Sequence, residues 1–173
     1  MSIFDDYILL GFDFRSKNDN LHSIDAFVWE QDEDTLLQLN NAGYEENFVQ
    51  FLDCDVSIIE SCTRTDNVAA AFAVSRSGLN IIEMLLVNNI IDNPRSPIYL
   101  LERGWKFEGF DVADANGYFS IFGIDSSKIS ASSHLFQYEN EARAFIEPAN
   151  KRYPEHSPFI QFAIFTYEQK ITA

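Results

Sequence analysis

The chain has 173 residues and a formal net charge of −15, and its first sixty positions hold fourteen Asp and Glu against two bases, Arg15 and Lys17. With 46% hydrophobic residues, including sixteen Phe, seven Tyr and two Trp, the composition excludes a disordered acidic tail. It predicts a single folded domain over residues 1–173, long enough to bury roughly 70% of its unfolded surface. Such a charge speaks to association rather than fold, disfavouring DNA or RNA as a partner and favouring a basic one.

No 18-residue apolar run occurs, and the N-terminus MSIFDDYILLGF has no basic leader, so the expectation is a soluble, cytoplasmic chain without a membrane partner. Cys54 and Cys62 stand eight apart with no second pair, a spacing that suits neither a zinc knuckle nor a redox C-x-x-C, and predicts reduced thiols.

In chain order, residues 8–14 and 24–29 read as strands, rich in β-branched and aromatic residues and separated by a polar loop over 16–23. Asp32 or Asp34 caps a predicted helix through Leu36, Leu37 and Leu39 that ends near Gly43, and a second short helix follows over 45–52. Residues 56–62 and 68–75 look extended, while 79–90 fits either a helical face or a buried strand. The middle reads as β: short apolar-aromatic runs at 98–101, 106–112 and 118–122, the last two flanking a hairpin turn of Asp114, Ala115, Asn116 and Gly117. Apolar positions Ala142, Phe145, Ile146, Ala149 and Tyr153 recur at helical spacing across 139–153, with Pro148 set to kink or split that helix. The run Phe159–Tyr167 then reads as a strand buried on both faces. Strands and helices interleave without a βαβ rhythm, so the predicted fold is α+β with a mostly antiparallel sheet and several packed helices.

Chemistry finds little support in the motifs. His22, His134 and His156 are dispersed, with no pair at helical ligand spacing, so no metal is expected. Asp114-x-Asn116-Gly117 matches three positions of a calcium loop, but Val112 and Gly123 stand where the first carboxylate and the bidentate Glu are required. No G-x-S-x-G, P-loop or G-x-G-x-x-G occurs. Acid pairs such as Asp53 with Asp55, or Asp111 with Asp114, are the frequency expected by chance among 27 acids, and neither enzymatic activity nor a cofactor is expected.

The acids themselves carry the functional signal. A solvated face that merely keeps the chain soluble is the simplest account. Against it stands clustering: Asp32, Glu33, Asp34, Glu45, Glu46, Asp53, Asp55 and Glu60 fall together with no intervening base, and Trp29, Tyr44, Phe48 and Phe51 are interleaved with them. Phe48 and Phe51 suit a core, which leaves Asp32, Glu33, Asp34, Tyr44, Glu45, Glu46, Asp53 and Asp55 as the candidate partner-binding set.

Residues 105–125, WKFEGFDVADANGYFSIFGID, carry a pattern of Trp105, Gly109, Phe110, Asp111, Val112, Asp114 and Gly117. This stretch resembles one found in small acidic immunity proteins encoded beside polymorphic or contact-dependent growth-inhibition toxins. The resemblance implies a cytoplasmic, noncatalytic inhibitor that plugs the basic cleft of a toxin, notably a nuclease. It carries over no contact residue, and the matched positions read as framework, with Gly109 and Gly117 serving turns and Trp105 and Phe110 packing. An acidic nucleic-acid mimic aimed at a DNA-binding protein, or a small enzyme without a recognisable motif, are the competing expectations.

Overall fold

A computed structural model describes residues 3–16, 56–61, 63, 65, 67–76, 96–114, 135–156 and 158–169. Four strands are present among them: β1 (Tyr7–Ser16), β2 (Asn67–Ser75), β3 (Lys106–Asp114) and β4 (Phe159–Tyr167). They form one antiparallel sheet in the order β1-β2-β4-β3. Short helices accompany it: α1 (Val56–Ser61), α2 (Ile98–Glu102), α3 (Glu139–Ala144) and α4 (Ile146–Arg152), with 3-10 turns at Ile3–Asp6 and Pro154–His156. The fold is therefore α+β with an antiparallel sheet, as the sequence predicts.

Each strand has a physical cause in its composition. β4 is apolar at nearly every position, and all its residues from Phe159 to Thr166 are buried. It sits between β2 and β3, where neither face meets water, so the usual polar-out alternation of an antiparallel strand is missing. β2 supplies alanines at 69, 70, 71 and 73, all fully buried. Ala71 lies opposite Phe12 on one side and Phe165 on the other, so the small side chains make room for large neighbours. On this face Phe4, Tyr7, Phe107, Phe110 and Phe165 meet as edge-on and tilted rings with centroids 4.9–6.5 Å apart. The opposite face is also buried through Ile8, Val68, Phe72, Val74, Phe162 and Ile164.

Two expected strands are helices. Residues 56–61 form α1, because Val56 and Ile59 fall three apart and bury together on one helical face, an arrangement an extended chain would place on opposite faces. Residues 98–102 form α2, framed by start and stop signals that outweigh the apolar run. Pro97 presets the entry at φ −70°, and Ser96 Oγ accepts the N–H of Ile98 at 3.2 Å. Gly104, at φ 91°, ends the helix: its N–H donates to Leu101 C=O at 3.2 Å and that of Trp105 to Leu100 C=O at 3.0 Å.

Pro148 splits the helix over 139–153, and the break falls at Phe145, so that Pro148 becomes the third residue of α4. There its missing N–H has no intrahelical acceptor to lose. Gly109 is not a turn residue. It sits inside β3 at a register shift following Phe107, with φ 146°, and its missing side chain lets the isolated bridge Phe110–Phe136 close against the strand. The two N–H···O bonds of that bridge are each 2.8 Å. The expected elements at 24–29, 32–43, 45–52, 79–90 and 118–122, the turn residues 115–117, and Cys54 and Cys62 lie outside the described residues.

Candidate functional site

The eight residues expected to bind a partner, Asp32, Glu33, Asp34, Tyr44, Glu45, Glu46, Asp53 and Asp55, all lie outside the described residues. Their segment leads directly into α1, whose Glu60 is the last acid of the cluster. Glu60 is not part of an open acidic face. Arg103 Nε donates to its Oε2 at 3.1 Å and Arg103 Nη2 to its Oε1 at 2.5 Å, a two-pronged ion pair. The indole Nε1 of Trp105 donates to the same Oε2 at 2.9 Å. The Glu60 backbone carbonyl is engaged as well, accepting from Thr63 N–H at 3.2 Å and Thr63 Oγ1 at 2.7 Å.

The surroundings explain why this clamp holds. Trp105 is only 3% exposed, its ring set between Phe12 and Tyr167 with centroids 5.8 and 5.4 Å away. A buried indole N–H left without an acceptor is costly, so the carboxylate completes the packing. Val56, Ile59 and Glu60 stand at i, i+3 and i+4 of α1, so the acid projects from the edge of the buried stripe. That spacing marks Glu60 only once the helical phase of α1 is known, because Glu33 with Leu36 and Leu37, or Glu45 with Phe48 and Val49, show the same intervals in the sequence.

Among the described residues the remaining candidate chemistry is dispersed. Asp111 is buried in β3 opposite Phe162, away from solvent, and Asp53 lies outside the described residues together with Asp55. Of the histidines, His156 is in the second 3-10 turn, while His22 and His134 fall outside. Among the described residues no group of three or more His, Cys, Asp or Glu is placed to hold a metal ion, and no helix is long and apolar enough to cross a membrane. Buried polar groups serve the sheet. Gln161 Nε2 donates to the Tyr7 hydroxyl at 3.2 Å, and burial raises the phenol above its ordinary value of 10.0, with the Gln161 hydrogen bond acting in the opposite direction. Thr166 Oγ1 donates to Glu108 Oε1 at 2.6 Å beside the register shift.

Of residues 105–125, positions 105–114 are described. Trp105 and Phe110 are buried, as their packing role requires, and positions 106–114 form β3. Surface ion pairs among the described residues include Arg143 with Glu139, Lys151 with Glu147 at 3.1 Å and Lys106 with Glu108 at 3.7 Å. Comparison with protein families, with curated proteins and with solved structures gives no match.

Proposed function

We propose that the protein is a stoichiometric, noncatalytic inhibitor of a basic protein partner, best described as an immunity protein that occludes the cleft of a nuclease toxin. The observation that carries this reading is the concentration of charge, fourteen acids against two bases in the first sixty residues, on a chain rich enough in apolar residues to fold. Clustered acids mimic the polyanion that a nuclease cleft attracts, so they steer association at rates up to about 10⁸ M⁻¹s⁻¹ at low salt. Shape complementarity then closes the cleft to substrate. Burial of Trp105, Gly109, Phe110, Asp111, Val112 and Ala113 supports the same division of labour, since positions devoted to packing leave recognition to others.

The test is whether the protein protects cells that express a cognate nuclease toxin domain. Reversing two or three of Asp32, Glu33, Asp34, Glu45 and Glu46 to Lys is expected to slow association, flatten its salt dependence and abolish protection. Reversing Glu147, whose side chain is 79% exposed, together with the exposed Glu155 supplies the control, expected to leave protection intact. Equal loss in both sets would show that only total charge matters, and no loss in either would return the acids to a solubility role.

A further inference from the structure

Helix α1 has six residues, too few to persist once undocked, so its existence depends on what holds it. Among its described holds are the buried Val56 and Ile59 and the Glu60 carboxylate, which pairs with Arg103 and accepts from Trp105, both more than forty residues away in sequence. The Arg103 side chain is 42% exposed and that of Glu60 13%, so dissolved ions reach the guanidinium and screen the pair in part, less than they would a fully exposed one. The described strands of the sheet are buried on both faces, the condition under which backbone amides open most slowly.

We propose that α1 is a strap latched at the entrance to β3 through Glu60, and that it opens alone, ahead of the sheet, when ionic strength screens the latch. The sign of the salt effect sets the strap apart from the whole fold. A net charge of −15 destabilises the compact state by self-repulsion, so added salt strengthens global stability while it weakens the Glu60–Arg103 pair. Local and global opening therefore move in opposite directions. The latch operates whatever the acidic third binds.

Trp105 reports on the latch directly, because its indole proton is one of the three that Glu60 accepts. The chain has two Trp, so Trp29→Phe leaves one indole signal. Native-state hydrogen exchange by NMR on this full-length background is the measurement. Raising salt from about 0.05 M to about 1 M, where the screening length falls to about 3 Å, is expected to speed exchange of the Trp105 indole and of the Glu60, Ser61 and Thr63 amides. The expected change is about fivefold, in line with the extra strength of a charge-assisted hydrogen bond. Amides of β2 and β4 are expected to hold or slow over the same range. Glu60→Gln keeps an acceptor for the indole but removes the charge, and should give fast exchange at low salt with no further salt response. Arg103→Met should do the same, and its exposed position makes folding secure. Strap protons exchanging in step with β4, or a salt response that survives in both variants, would overturn the proposal.

Discussion

Gln161 of β4 hydrogen-bonds the Tyr7 hydroxyl at the start of β1, although the two strands are not neighbours and β2 runs between them. Tyr7 lies opposite Ser75 in β2, and the small residues at 69, 71, 73 and 75 give its side chain a path across that strand. The bond ties together positions 154 residues apart and buries both partners.

Tyr7→Phe keeps the ring and removes the acceptor. We expect a loss of about 1–2 kcal/mol near pH 7, because Gln161 Nε2 is left short of a partner inside the sheet. The pH dependence has a definite sign. Burial raises the phenol's folded value above the ordinary 10.0, so the stability held by the neutral hydroxyl is fully present below about pH 10 and erodes as pH climbs towards that raised value. Urea midpoints measured at rising alkaline pH should fall less steeply for Tyr7→Phe than for the parent, and parallel slopes would contradict the assignment.

Gly109→Ala is expected to be severe. A methyl group there would lie 2.8 Å from the Phe136 carbonyl oxygen and 2.9 Å from Leu135 Cβ, on a backbone at φ 146° that L-residues rarely adopt. A loss of at least about 3 kcal/mol is expected, compared with about 1 kcal/mol for Gly104→Ala in the exposed turn after α2. Thermal melts of the two variants side by side give the comparison.

Ala71→Leu tests the small-residue strand. Ala71 is fully buried between Phe12 and Phe165, so a larger side chain must displace one of them, at a cost of about 1–3 kcal/mol. Full stability in the variant would mean that the face is less tightly packed than the register implies. Denaturant titration with unchanged slope would show that the effect lies in the native state.

Polynucleotides should not be retained. With a charge of −15, the chain is expected to give no gel shift with DNA or RNA at about 0.15 M salt. Micromolar binding there would redirect the functional reading from a basic protein partner to a nucleic acid.

How much of this was legible in the sequence follows from length and burial. The strands expected at 8–14, 68–75, 106–112 and Phe159–Tyr167 are long enough for β-branched and aromatic residues to outweigh local alternatives, and each forms. Helices α1 and α2 span six and five residues, too short for periodicity to speak, and tertiary burial of Ile59 and Leu100 decides them. Pro97 and Gly104 were visible boundary signals for α2, whereas Val56, Ile59 and Glu60 mark α1 only once the helical phase is known. Glu60 shows why counting acids misleads, since its charge is spent on Arg103 and Trp105. The eight candidate contact residues lie outside the described residues, and their role rests on composition and on the functional test.

The central position of β4 bears on how the molecule is made. Ala71 and Phe165 pair across roughly ninety residues of intervening chain, and β3 reaches β2 only through the same late strand. Distant pairings of this kind slow folding, because the chain must close long loops before contacts repay the entropy. During synthesis β1, β2 and β3 emerge before the strand that joins them, leaving the aromatic surfaces of two half-built pieces without their shared neighbour. Until Tyr167 clears the ribosome the sheet cannot close, so the growing chain is most vulnerable to aggregation between the emergence of β3 and that of β4.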